Sequence, residues 1–503
     1  MQNQNIFRQL AVILLATILT KATAQPALSS IRTADIKTDI FTMAGDHFRG
    51  REAGTLDELK VAAWVADKAK EAGLRPGGDD GTYFQFFSIW RNRISAASTI
   101  SIDDHPFPLW TDALTIQTAT ATVNAPILFI DKADTNRTDF KGKAVALIAS
   151  PEGLNLQVSL PRRRYMGLLV RKYATGLLAK GAAAVIFIAD DLVESAWALN
   201  ASYADHGTYA LEGDAGEKVI SREPVIWLHP SAAEFVKTPG HTLNVKLEVE
   251  HFEYPSVNVI GIADGTDPQL KKEYVVFSGH HDHDGIRRIT PYISAAASPA
   301  ASSAASTDTI FNGADDNASV SVALLAIARA FHKQPGRRSA LFIWHGAEER
   351  GLLGSRWYAI HPTVPKSSLV AVLNGDMIGR NSPDSAALLG IRPPHRNSKD
   401  LVAIGLAANQ QGPRFKLDTA YDSQTHIEGW YFRSDHLPYA RAGIPALFFT
   451  SLLHPDYHTP QDEPGRIDTA KITRIAEWMY RTGWTVANNT ARPNEDPDFK
   501  LER

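Results

Sequence analysis

Five consecutive apolar residues, Ala340 to Trp344, lead through His345-Gly346-Ala347 into two adjacent carboxylates, Glu348 and Glu349. A short apolar run bounded by glycine is the pattern of a strand buried on both faces, as strands of a parallel sheet read. In an open α/β sheet, chemistry gathers just beyond the carboxyl ends of such strands. The Glu348-Glu349 pair therefore falls where a site is expected. Two neighbouring carboxylates there can divide labour, one binding a cation and the other moving protons.

The rest of the C-terminal half, from about Pro255, repeats this arrangement. Strands are expected at Ser256 to Ile262, Tyr274 to Ser278, Leu369 to Leu373 and Ala446 to Thr450. Helical patterns alternate with them. Val320, Leu324, Ile327 and Phe331 share one helix face, and further helices are expected over Leu352 to Ile360, Leu401 to Gln410 and Ile467 to Val486. Alternating βα units imply an α/β fold, a three-layer αβα domain with a mostly parallel sheet. Residues 30 to 73 read as helical, with Thr55 as a cap and Leu59, Ala62, Ala63, Val65, Ala66 and Ala69 on the apolar face. The Arg49-Gly50-Arg51 run before that helix reads as a structural turn. Residues of roughly 95 to 245 change to short strands, and no acid, base or metal cluster stands out there, so they read as an accessory β-rich module. The expected division is an N-terminal helical segment over 25–95, the β-rich module over 96–250, a catalytic α/β domain over 251–490 and a tail over 491–503.

Arg8, the apolar run Leu10 to Leu19 and Ala22-Thr23-Ala24 form a secretory leader pattern over residues 1–24. The run is shorter than the roughly 20 apolar residues of a membrane anchor, so export to a bacterial periplasm or to the outside, with no anchor after cleavage, is expected. The 503 residues carry a net charge of −3 with no long run of one sign, which gives no electrostatic footprint for nucleic acid. The absence of cysteine excludes thiolate metal sites and thiol catalysis, so any metal is held by His, Asp and Glu.

Polar residues collect at the ends of the expected parallel strands. Gly279-His280-His281-Asp282-His283-Asp284 follows one strand, Glu348 and Glu349 another, Asn374-Gly375-Asp376 a third and Asp456-Tyr457-His458 a fourth. Asn312-Gly313-Ala314-Asp315-Asp316-Asn317 precedes a helix. Parallel strands share one carboxyl edge, so these groups converge on one rim. Several His, Asp and Glu without Cys describe a site for zinc or a similar divalent ion, with room for two.

These runs resemble the co-catalytic zinc peptidases of metallopeptidase family twenty-eight, which includes aminopeptidase Y, bacterial leucyl aminopeptidases and glutamate carboxypeptidase II. The resemblance rests on Gly279-His280-x-Asp282, Gly313-Ala314-Asp315-Asp316-Asn317-Ala318-Ser319, Gly346-Ala347-Glu348-Glu349-x-Gly351, Asn374-x-Asp376, Ser434-Asp435-His436 and Tyr457-His458-Thr459-Pro460-x-Asp462. The β-rich module is similar to the protease-associated domain inserted in such peptidases. The resemblance implies two zinc ions bridged by Asp315, with His280 and Asp376 completing one shell and Glu349 and His458 the other. It also implies Glu348 as general base, Asp282 holding the second nitrogen of His280, and a cis peptide bond between Asp315 and Asp316. The implied function is that of an exported exopeptidase acting on peptide substrates, foremost an aminopeptidase. A carboxypeptidase, a glutaminyl cyclase with one zinc, and an inactive binding module are the alternatives.

Three departures stand out. Val320 occupies a position where the family has glycine. His281 and Asp284 offer alternative ligands beside His280. The Ala/Ser-rich stretch 294–303 is an unusual insertion expected to border the substrate cleft. End specificity turns on where groups such as Asp422, Glu428 and Arg433 fall.

Overall fold

The computed structural model describes residues 27–154, 161–214, 222–287 and 308–502. The expected leader and the Ala/Ser-rich stretch 294–303 lie outside them. The organising element is a ten-stranded sheet. Its centre is four parallel strands in the order Ala446–Thr450, Leu369–Gly375, Tyr274–His280 and Ser339–His345. Antiparallel neighbours flank this centre: Val249–Ala263 beside Ser339–His345, then Phe84–Ile94 and Thr208–Leu211, and on the other side Ser385–Leu389 beside Ala446–Thr450. The sheet is thus mixed, and the expected parallel character belongs to the four strands whose carboxyl ends carry the polar runs.

Successive residues of a strand point to opposite faces, and here both faces are covered. Val275, Phe277, Phe342 and Trp344 pack with Val65, Leu324, Ile327, Ile475 and Met479 on one side. Val276, Leu341 and Ile343 pack with Tyr358 and Tyr439 on the other. Burial of each such side chain contributes roughly 1.5–3 kcal/mol. The helices of the first side include Thr33–Met43, Leu56–Glu71, Ser319–Lys333 and Thr469–Asn488. Thr55 caps the second of these by accepting the Asp57 and Glu58 amides. Helices Leu353–Ile360 and His436–Arg441 cover the second side.

Residues between the two long outer strands form an eight-stranded sheet with cores of their own, around Trp227 and Phe187 and around Ile186 and Val245. Within this stretch the helix Trp197–His206, absent from the sequence reading, turns back towards the large sheet and is followed by the strand Thr208–Leu211, which joins that sheet. It buries Asn200, whose side-chain amide donates to the Ala196 carbonyl. Among the described residues no helix is long and apolar enough to cross a membrane.

Candidate metal centre

The parallel register sets His280 beside His345 and Gly375 beside Phe449, so the residues after those strands leave the sheet along one edge. His280 is the last residue of its strand and is fully buried. Asp376 follows directly on the next strand. Gly279 and Gly375, the residues before them, lack side chains where Val320 of the adjoining helix packs: a Cβ on either would stand 2.6 or 2.9 Å from Val320 Cγ1.

The shared carboxylate is Asp316. Its Oδ1 lies 3.3 Å from His280 Nε2 and its Oδ2 lies 3.1 Å from His458 Nε2. Asp376 Oδ1 stands 3.6 Å from His280 Nε2, and Glu349 Oε2 stands 3.2 Å from His458 Nε2. His280, Asp316 and Asp376 therefore form one group able to hold an ion, and His283, Asp316 and Glu349 a second. Asp284, Glu349 and His458 form a third that overlaps the second through Glu349. His283, not singled out from the sequence, places Nδ1 2.8 Å from Glu349 Oε1.

Asp315 does something else. Its Oδ1 accepts the Gly379 amide at 2.5 Å and its Oδ2 stands 3.4 Å from His454 Nε2, away from His280 and His458. The cis peptide bond likewise lies one residue on, between Asp316 and Asn317. Asp462 fixes this turn, its carboxylate accepting the Asp315 and Asp316 amides at 3.0–3.1 Å. Adjacent side chains on a turn point in different directions, so the bridging position expected for Asp315 falls to Asp316.

Asp282 also departs from expectation. Its carboxylate stands 3.7 Å from His280 Nδ1, and the nearer acceptor for that nitrogen is the Asp282 carbonyl at 3.2 Å. The carboxylate instead accepts the amides of Glu348 and Glu349 at 3.0 and 3.3 Å, fixing the turn that carries both. Glu348 Oε2 faces the first group, 3.7 Å from His280 Nε2. His281 turns the other way, with Nε2 3.0 Å from the Val257 carbonyl, and burial pushes its pKa down to about 4. Arg51, fully buried, donates to the carbonyls of His281, Asn312 and Gly313 and so ties two site loops together.

Electrostatics set the groups apart. Burial raises the Glu348 carboxyl well above the usual range; His280 opposes this, while Glu349 and Asp376 add to it. Burial also pushes Asp376 up to about 6 against the pull of His280. Asp316 is held well below its ordinary value: burial alone would raise it, and the contacts with His280 and His458 outweigh that. His280 Nε2, His283 Nε2 and Asp376 Oδ1 are buried without a hydrogen-bond partner. Buried polar atoms are rarely left unsatisfied, and an oxygen–imidazole donor set without thiolate suits zinc. The residues fit divalent ions.

Of the end-specificity candidates, Asp422 caps the Gly390, Ile391 and Arg392 amides. Arg433 donates to Glu428 and to the Tyr457 hydroxyl and lies over the Trp430 ring. Tyr203, on the helix Trp197–His206, brings its hydroxyl to within 3.2 Å of His458 Nδ1. No sequence signal marked it, because the residues around it carry no pattern of ligands.

Residues 258–482 match the family model of peptidase family M28. Aminopeptidase YwaD of Bacillus subtilis is 27% identical over 188 residues, 36% of this chain and 39% of that protein. A probable leucine aminopeptidase of Arthroderma benhamiae is 28% identical over 192 residues, 35% of this chain and 48% of its own. The chain thus aligns with less than half the length of these curated relatives. Among solved structures, an aminopeptidase from Aneurinibacillus sp. strain AM-1 superposes with a TM-score of 0.59 at 18% identity, covering 94% of this chain and 98% of that one. BSAP, a zinc aminopeptidase from Bacillus subtilis, gives a TM-score of 0.59 at 19% identity over 93% and 99%. That likeness is one of fold.

Proposed function

We propose that the chain, whose residues 258–482 match the family model of peptidase family M28, is an exported zinc-dependent exopeptidase that removes N-terminal residues from peptides. The observation that carries this reading is the Asp316 carboxylate, with one oxygen towards His280 Nε2 and the other towards His458 Nε2. In this reading His280 and Asp376 would hold one ion, Glu349 and His458 the other, and Asp316 would contribute to both. Two zinc ions, when bound, supply the Lewis acidity that acidifies a water and polarises a peptide carbonyl.

The remaining work belongs to side chains. Glu348 Oε2 takes the proton of the attacking water and returns it to the leaving amine nitrogen. Burial gives this carboxyl its raised proton affinity, and Asp282 holds its backbone through the Glu348 amide. The aminopeptidase assignment is supported by the names of the relatives in both comparisons. Export is supported by the leader pattern in residues 1–24.

The test is mass spectrometry of peptides with free, acetylated and amidated ends, with and without a chelator. Chelator-sensitive loss of N-terminal residues, blocked by acetylation, is expected. Loss from the free C-terminus instead would make the protein a carboxypeptidase, and ammonia loss from an N-terminal Gln a cyclase. Glu348→Gln is expected to keep both ions and to lower kcat by at least 10²-fold; wild-type turnover in that variant would remove Glu348 from the mechanism.

A further inference from the structure

We propose that Tyr203, supplied by the stretch between the two long outer strands and not by the M28 domain, is a positioning residue that acts with Asp284 to fix the imidazole tautomer of His458. The inference rests on the metal centre proposed above, where His458 Nε2 faces Asp316 and Glu349. A neutral imidazole offers a lone pair on only one nitrogen, and the partner of the other nitrogen decides which.

His458 Nδ1 lies 2.8 Å from Asp284 Oδ2. The Tyr203 hydroxyl lies 2.6 Å from that same oxygen and 3.2 Å from Nδ1. Asp284 Oδ1 is taken by two guanidiniums, accepting from Arg287 at 2.6 Å and Arg350 at 3.3 Å. With Oδ1 occupied by two guanidiniums, Oδ2 is the oxygen placed to accept both the Tyr203 O–H and the His458 Nδ1–H. The proton stays on Nδ1, and the Nε2 lone pair is left for the ion.

The geometry also restrains Tyr203. The Arg287 guanidinium carbon stands 3.8 Å from the centre of its ring, a cation–π contact that resists rotation of the phenol. The C-terminal end of its helix is tied to the large sheet, because Arg91 donates to the His206 carbonyl at 2.6 Å. Glu52 of the N-terminal segment lies 3.6 Å from His206 Nε2 and 3.3 Å from Arg350. The hydroxyl is thus held against His458 by groups from three parts of the chain.

The test is ion-by-ion zinc affinity of the full chain, measured by competition with a chromophoric chelator, together with the visible spectrum of the cobalt-substituted protein. Tyr203→Phe keeps the ring and the Arg287 contact and loses only the hydroxyl. It is expected to weaken one of the two ions about tenfold, to change the cobalt spectrum and to lower kcat with little change in KM, while the melting temperature of the metal-free protein stays the same. Asp284→Asn is expected to act at the same ion and more strongly. Wild-type affinities and spectrum in both variants would overturn the inference while leaving the zinc centre intact. An equal loss at both ions with a lower metal-free melting temperature would also overturn it, since that is general loosening. A wild-type chain that binds fewer than two ions would remove the centre and the inference together.

Discussion

The two oxygens of Asp316 serve two imidazoles, and its neighbour Asp315 spends one oxygen on the Gly379 amide and faces His454 with the other. This separation makes a direct prediction. Asp316→Asn removes one anionic donor from both proposed ion sites, so the purified variant is expected to lose most of its zinc by elemental analysis. Asp315→Asn keeps an oxygen for Gly379 and weakens only the His454 contact, a loss of about 1 kcal/mol, and is expected to retain two ions. The reverse pattern of metal content would return the shared position to Asp315. The off-by-one in the sequence reading has a plain origin. Two adjacent aspartates in one loop are equivalent by spacing, and only the path of the turn, fixed by the Asp462 carboxylate on both amides, separates them. Asp282 was legible as a positioning group, but the atoms it positions, the Glu348 and Glu349 amides, depend on a turn that residue types alone do not describe.

Among the elements, the strand ends and the helix Ser319–Lys333 are fitted to each other. Val320 fills the space that Gly279 and Gly375 leave open, immediately before His280 and Asp376. The glycine expected at position 320 is thus replaced by a side chain that sets the distance between helix and strands. Gly279→Ala is expected to cost about 1–3 kcal/mol by overpacking and to displace His280, with weaker zinc binding as the functional readout. Adding Val320→Ala in the same chain is expected to recover part of both losses, a coupling that a double-mutant cycle on denaturation midpoints measures. Additive effects would show that the two residues do not share that space. The elements themselves were legible where period and burial coincide: four of the five C-terminal strands and the long helices fall within a few residues of their sequence positions, while the strand expected at Ser256 to Ile262 begins seven residues earlier, at Val249. The antiparallel strand Ser385–Leu389 was not, because it is short and follows a Ser-Pro-Asp run that reads as loop. The helix Trp197–His206 was not, because its apolar residues do not form one stripe, and with it went any sign of Tyr203.

For the molecule as a whole, the N-terminal segment is part of the framework of the candidate site. Helix Leu56–Glu71 inserts Glu58 beneath the site, where its carboxyl accepts the Ser256 hydroxyl at 2.6 Å and the Gly54 amide at 2.6 Å and lies against Gly346, two residues before Glu348. It is fully buried, and burial, with Asp282 adding repulsion, pushes its pKa up to about 8 from an ordinary 4.5. The folded protein therefore keeps this proton until about pH 8, while an unfolded chain releases it near 4.5. The stability contributed by protonated Glu58 is complete below the lower value, falls as pH rises between the two and is lost above the higher one. Glu58→Gln keeps the shape, cannot ionise and lets Ser256 turn its hydroxyl to accept. Its denaturation midpoint is expected to match the wild type near pH 5 and to exceed it increasingly towards pH 8, by on the order of a few kcal/mol at 1.36 kcal/mol per unit. Parallel stability curves for the two proteins across that range would mean that Glu58 ionises in the folded state as it does in water. A divergence confined to the expected interval would show that the helix before the sheet, distant in sequence from every proposed ligand, sets the pH range over which the framework of the site holds together.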